Sequence, residues 1–477
     1  METITFANNL TAKINELVEK FKADLDYNLF ETEIVKSVNE NLTPLIQGVL
    51  IEVLADKKFM EALKVLAGQK CLSYEGHRLI DVNILNGQRI LLPSPYFFNR
   101  SKKKGRKKQG RKTGNNIDCH LGLTSLGFIS NHSGNLANEV CKTVIISPSY
   151  EMARTLLEDR GIRLDIKTME RICRDIGNIG LFTRGKFCTD GTENLEGQTL
   201  VVSLDGGRLR ERRAKRGKKA QGQKRQGYTA EWREPKLFTI YVIDESGEQV
   251  KEIPPIYDAT LLGPDAVVEL LERYLGEYDL SQLKRIVFSA DGAPWIWNRL
   301  DELAKKKLPG VKTYQVLDYT HAQQALGEIF GALAETGRGD ILKQAKYHLW
   351  QGEIDGIKAL IAENLKGQAK TKGLKKWKSY FDGNRHRMQY KTFKENGIPC
   401  GSGYVESAIR RVINMRLKSC GTFWLAETAE LFLFLRCQLI SGRWNIFFKN
   451  LLKRNTAQSK GNINSIIKTN YYEKLAA

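Results

Sequence analysis

The pattern of apolar and polar positions divides the chain into stretches of different texture. Over residues 1–66, Leu10, Ile14, Leu17, Val18 and Phe21 recur at helical spacing, and 45–54 adds a strongly apolar segment, so this region is expected to be helical. Residues 67–100 change to short alternations around Asn86-Gly87, as strands joined by turns would. From Ser147-Pro148 onward, Met152, Leu156 and Leu157 form an apolar stripe that stops at Gly161, and a second helix is expected over 167–176. This pair reads either as a helix-turn-helix, which would lay a helix in a DNA groove, or as a plain helical hairpin.

The second half begins with an unbroken run of β-formers, TLVVSLDGGR at 199–208, that ends on Asp205 and two glycines. Apolar runs of this length read as buried strands, and a carboxylate at the end of one either opens a turn or serves a site. Two further strands are expected over 236–244 and 249–256, then a helix over 264–275. KRIVFSADG at 284–292 repeats the opening design, so Asp291 is presented as Asp205 is. A short fifth strand over 314–317 leads to Asp318-Tyr-Thr-His321 and a helix. Residues 323–395 read as helical and polar, with GQAKTKGLKK as a loop, and are best taken as an insertion. Ser402 is expected to cap a helix over 403–418 that carries Glu406 in its first turn, and 425–439 is a further apolar helix.

Charge changes the picture. The 477 residues hold 75 Lys and Arg against 54 Asp and Glu, a net charge of +21. The runs 102–112 and 208–225 carry +17 of it, the first with eight basic residues and no acid. Charge gathered this way fits a polyanion such as nucleic acid, and neither run has the period of a membrane-lying helix. The eight cysteines form no CxxC pair, which points to reduced thiols, and Cys119, His120, His132 and Cys141 match no compact zinc spacing. Without a leader-like start or a long apolar run, a soluble, cytoplasmic protein with no membrane partner is expected.

The order of strand-Asp205, strands, helix, strand-Asp291, strand, helix and helix-Glu406 resembles the ribonuclease-H-like core of DDE transposases. SLDGGR, FSADGAPWIW, LDYTHA and GSGYVESAIRRVINMRLKSCGTFW bring the resemblance closest to bacterial insertion-sequence transposases of the ISKra-like group, related to the Mutator-like superfamily. It covers about 200–440, with 86 residues from Asp205 to Asp291 and 115 from there to Glu406. The resemblance implies a multidomain α/β protein with a helical N-terminal region, and a ribonuclease-H-like mixed-sheet catalytic core interrupted by an all-helical insertion. The segments would be 1–66 helical, 67–145 β-containing with a basic loop, 146–198 helical, 199–322 first part of the core, 323–395 insertion, 396–420 final core helix and 421–477 C-terminal helix and tail.

It also implies an enzyme that cuts DNA at an element's terminal inverted repeats and joins the ends to target DNA. Asp205, Asp291 and Glu406 would be catalytic and hold two Mg²⁺ or Mn²⁺ ions, with Asp318 and His321 as a secondary pair. In-line displacement at phosphorus charges both the attacking and leaving oxygens, and hard ions held by convergent carboxylates offset that charge. Arg208, Arg210, Arg212, Arg213, Lys215, Arg216, Lys102, Lys103, Lys104, Arg106, Arg416 and Lys418 are candidates for DNA contact, and Glu234 is a reserve acid. Trp295 and Trp297 are candidates for base stacking or for core packing. A homo-oligomer, at least a dimer, follows from the need to handle two ends. The competing functions are a catalytically silent DNA-binding derivative and a structure-specific nuclease without strand transfer.

Overall fold

The structure, a computed structural model, describes residues 2–98, 119–185, 195–215, 217, 222, 226–335 and 337–455. Lys102, Lys103, Lys104, Arg106 and Arg216 lie outside the described residues. The described residues divide into two compact units, 2–179 with 449–455, and 180–448.

The first unit opens with α1 (Glu2–Asp24), α2 (Tyr27–Ala55) and α3 (Lys57–Gln69). Asp26 and Asp56 start the second and third helices by accepting from the backbone N–H groups of Leu29 (3.0 Å) and Phe59 (2.8 Å). The alternating stretch forms an antiparallel hairpin of β1 (Ser73–Asn83) and β2 (Arg89–Phe98), turned at Asn86-Gly87 with Gly87 at φ +78°. Leu54, Ile80, Val82, Ile90, Leu92 and Leu123 make its core. Four more helices follow, α4 (Leu121–Ser125), α5 (Gly134–Ile146), α6 (Tyr150–Glu158) and α7 (Ile166–Phe182), the last crossing the unit boundary. The cap of α6 is Ser149, whose hydroxyl accepts from Met152 N at 3.1 Å, while Ser147 closes α5.

The second unit is built on a five-stranded mixed sheet, compatible with a ribonuclease-H-like core. Its strands are β3 (Thr199–Gly206), β6 (Lys236–Ile243), β7 (Ile256–Thr260), β8 (Arg285–Ala290) and β9 (Thr313–Leu317), in the order β7-β6-β3-β8-β9. The first three pair antiparallel, and β8 and β9 run parallel to β3. The central strand is buried from Thr199 through Leu204, which is why it reads as a continuous apolar run rather than an alternation.

Expectations about the strands and loops of this unit change in three places. The segment after Asp205 is not a plain basic loop: it forms a two-stranded ribbon, β4 (Leu209–Ala214) and β5 (Tyr228–Arg233). The third sheet strand lies later than 249–256, because Pro254 and Pro255 have no N–H for a ladder; their carbonyls instead accept from the buried Arg443 guanidinium. GQAKTKGLKK is helical, since its Lys, Ala, Gln and Leu favour a helix and the small Gly373 packs against Ile361 and Leu365.

Helices complete the unit: α8 (Pro264–Leu275), α9 (Pro294–Lys307), α10 (Tyr319–Glu335), α11 (Gly339–Gln351), α12 (Ile354–Asn364), α13 (Gly367–Lys376), α14 (Tyr390–Glu395), α15 (Gly403–Ile409), α16 (Ala426–Ile440) and α17 (Trp444–Asn455), which crosses the boundary. The helix carrying Glu406 is shorter than 403–418: its turn widens to π geometry over Arg410–Asn414, with Met415 N donating to Arg410 O at 3.0 Å. Among the described residues no helix is long and apolar enough to cross a membrane.

A buried ionic knot ties α16 to the sheet. Arg184 donates to both carboxylate oxygens of Asp258 at 2.6 Å and to Glu430 at 2.7 Å, with side chains at most 1% exposed. Tyr274 donates to Asp258 (2.8 Å) and Leu261 N to Glu430 (2.7 Å), so every charge has several partners. Removing one partner strands the others without water. Glu430→Ala is therefore expected to lower unfolding free energy by about 3–5 kcal/mol in urea titrations. Asp340→Ala, which breaks an exposed pair with Lys343, should change it by less than about 0.5 kcal/mol.

Candidate active site

Three strands end in a carboxylate at the same edge of the sheet. In the parallel register Leu204 lies beside Ala290, and Ala290 beside Leu317, so Asp205, Asp291 and Asp318 are each the next residue in line. Period-two alternation puts Asp205 on the face of Ser203, and the fully buried Ser203 and Ser289 pair beneath the acids as a polar floor. The glycines after the two strand-end aspartates make room for neighbours. A Cβ on Gly207 would come within 2.5 Å of Ile413, and one on Gly292 within 2.4 Å of the Tyr380 ring.

Asp205 is half-buried and its pKa is pushed up to about 6. Burial is the largest cause. The backbone N–H of Gly206, donating to Oδ1 at 2.6 Å, opposes it; the carboxylates of Asp291 and Glu406 reinforce it, and His321 opposes it. Asp205 is thus within electrostatic reach of both Asp291 and Glu406. Asp291 is held by Ala293 N, which donates to its Oδ1 at 2.9 Å, and Trp297 Nε1 fixes its carbonyl at 2.8 Å.

Glu406 is exposed on α15, which is seated by buried Val405, Ala408 and Ile409 and by the stacking of Tyr404 on Tyr241 at 4.0 Å. The expected role of Ser402 as a side-chain cap is not met. Its hydroxyl donates to Glu406 Oε1 at 3.0 Å and aims that carboxylate instead.

Among the described residues, the candidate ligand atoms that gather within 4.8 Å of one another are not those of the predicted trio but those of Asp318, His321 and Glu406. Asp318 is fully buried, and its oxygens already accept from His321 N (2.7 Å), His321 Nδ1 (2.9 Å) and Ser402 N (2.5 Å). Burial alone would raise its pKa, yet these hydrogen bonds together lower it. With three N–H groups donating to it, Asp318 acts as a clasp that joins β9, α10 and the loop before α15. It also fixes the His321 tautomer: Nδ1 carries the proton shared with Asp318, which leaves Nε2 as the second ring position. The same pairing is the first cause of the raised His321 pKa, with Asp205 and Asp291 adding to it.

The remaining candidates divide. Arg208 and Lys418 are exposed, and Lys215 closes the described part of the ribbon by donating its N–H to Gly227 O at 2.8 Å. Arg210 and Arg212 lie on one face of the ribbon over aromatic rings. Arg213 sits on the other, paired with Glu211 (3.0 Å) and Glu231 (3.2 Å). Arg416 does not reach phosphates: it is buried over Trp424 and Phe432. Trp297 is buried beneath Arg387 and is not a stacking surface. Trp295 is half-buried against the core, with Lys236 over its ring at 4.8 Å. Glu234 is engaged by Lys236 at 2.7 Å. The sequence reading missed the exposed Trp232, whose signal was the apolar-polar alternation of 228–233.

Neither the protein-family models nor the curated proteins compared with this chain match it. Among solved structures, a chain of the Drosophila P element transposase strand transfer complex is similar at 11% identity over 74% of this chain and 84% of that one. The TM-score is 0.24, too loose a superposition to carry an argument.

The carboxylate cluster has a pH signature. Because folding raises the Asp205 pKa, the folded state favours the neutral acid. Stability is then greatest below the unfolded value near 4 and declines as pH rises through about 6. In EDTA at pH 7.5, Asp205→Asn is expected to unfold at higher urea than wild type, by about 1–3 kcal/mol, with the difference vanishing near pH 4. An unchanged or lowered midpoint at pH 7.5 would contradict the strained carboxylate.

Proposed function

We propose that this protein is a DNA transposase of the ribonuclease-H-like kind, cutting phosphodiesters at element ends and transferring the freed strand to target DNA. The observation that supports it most is the placement of Asp205 and Asp291 at matching ends of adjacent parallel strands, with Glu406 in reach on a separate helix. The sheet order and the ordered motifs of the resemblance agree with one another. The all-helical stretch between β9 and α15 stands where such enzymes carry an insertion.

The donor set fits hard divalent cations. Asp205, Asp291 and Glu406 offer only oxygen, and their mutual repulsion is relieved by a cation. Two Mg²⁺ or Mn²⁺ ions would be held by these three residues and would supply charge stabilisation for an in-line displacement.

The chain's own contributions are separate. Asp205, whose carboxylate feels the charge of both other acids, would be the residue that most needs the cations and helps to hold them. Ser402 holds Glu406 in one orientation. The Asp318 clasp keeps His321 Nδ1 protonated, and the ring feels the charge of Asp205 and Asp291, so that Nε2 is the position that can hold or release a proton. Arg208, two residues past the sheet edge, supplies positive charge for the DNA backbone. Joining two ends calls for two such sites, and hence for more than one copy of the chain on DNA.

Purified full-length protein, Mg²⁺ or Mn²⁺ and DNA bearing the element's own ends give the test. Asp205→Asn, Asp291→Asn and Glu406→Gln should each reduce cutting by at least about 10²-fold while DNA affinity in EDTA stays within a few-fold. Undiminished cutting by Asp205→Asn would refute the assignment. Cutting without joined products on a target plasmid would identify a nuclease, and binding without cutting under any metal would identify a silent derivative.

A further inference from the structure

The ribbon that follows Asp205 has two chemically different faces. Its register pairs Leu209 with Arg233, Glu211 with Glu231 and Arg213 with Thr229 on one face. There the charges cancel: Glu211 meets Arg213 and Arg233 at 3.0 Å, and Arg213 meets Glu231 at 3.2 Å. The other face pairs Arg210 with Trp232, Arg212 with Ala230 and Ala214 with Tyr228, and it carries no acid. Arg210 lies 4.7 Å from the Phe423 ring centre and 5.6 Å from that of Trp232, and Arg212 lies 4.5 Å from that of Tyr228. Neither guanidinium has a carboxylate in ion-pair distance among the described residues.

The face is held rigid and open at once. Arg212 N donates to Trp424 O (2.7 Å) and Trp424 N to Arg210 O (2.9 Å), so a third segment is stitched to the root of β4. Tyr228 packs against Phe423 with ring centres 5.6 Å apart. Yet Trp232 remains 59% exposed and Tyr228 41%, while every other tryptophan of the chain is buried or half-buried. An indole left in water beside two arginines with no anion is a costly surface for a lone protein and a good one for a partner that is both flat and negatively charged.

We infer that the acid-free face of the β4–β5 ribbon binds an unpaired stretch of DNA, a base stacking on Trp232 while Arg210 and Arg212 meet its phosphates. This rests on the reading that the unit acts on DNA, and it adds a single-strand contact distinct from the carboxylates. Duplex DNA keeps its base faces covered, so only frayed or displaced nucleotides offer the π surface that Trp232 presents. The ribbon begins at Leu209, four residues beyond Asp205, so it leads such a strand away from the edge where the acids sit.

The test uses the full chain in EDTA, so that cutting plays no part, and reads the anisotropy of a fluorescein-labelled thymidine strand of about 12 nucleotides and of a blunt duplex. Trp232→Ala should weaken the single strand by about tenfold and leave the duplex within about twofold, whereas Trp232→Phe should stay within about threefold of wild type. Arg210→Ala with Arg212→Ala should weaken the strand and flatten its salt dependence by about one logarithmic unit or more. Single-strand affinity unchanged in Trp232→Ala, or strand and duplex weakened equally, overturns the inference. So does a poly-glutamate peptide that displaces the strand from wild type and binds Trp232→Ala less well, since the face would then serve acidic protein. Because the assay is free of metal, a failure of the Asp205→Asn cutting test leaves its outcome standing, and the reverse also holds.

Discussion

The parallel pairing of β3 with β8 is the constraint on which the rest of the second unit depends. One residue of slip would turn Asp205 or Asp291 into the core and put an apolar side chain at the edge, because successive residues face opposite sides. The continuous burial of both strands prevents that slip, and β6 and β9 lock the pair from either side. Two carboxylates side by side at a sheet edge are an unfavourable arrangement held in place by the apolar strands beneath them.

Asp205 and Asp318 show how the same residue type is given opposite properties by its hydrogen bonds. Both sit at the end of a strand of one sheet. Asp318 is more deeply buried, yet three N–H groups favour its charged form. Asp205 has one backbone donor and two acidic neighbours, so its charge is unfavourable without a counter-ion. One is a structural anchor and the other carries a charge that the fold leaves uncompensated, a division that residue identity alone does not reveal.

Much of the second unit was legible in the sequence because its signals are local. Apolar runs closing on Asp-Gly located β3 and β8, and the glycines that marked those ends are where Ile413 and Tyr380 pack closest. What was not legible depends on partners distant in the chain. Half of the ribbon residues are charged, and the two segments become strands by pairing with each other and with Trp424. Arg416 looked like a phosphate ligand until its burial against Trp424 and Phe432 was seen. Ser402 looked like a cap because capping is the usual task of serine before a helix, whereas here it turns toward Glu406.

The ionic knot of Arg184, Asp258 and Glu430 has a consequence for the order in which the molecule is made. Arg184 leaves the ribosome 246 residues before Glu430, and its guanidinium cannot be fully compensated until that glutamate arrives. Glu406 likewise follows Asp205 by 201 residues, so the acids cannot assemble while the chain is still growing through its helical stretch. A truncated product ending short of α16 would carry most of the positive charge but no completed knot. Synthesis thereby couples the presence of a finished site to the presence of nearly the whole polypeptide.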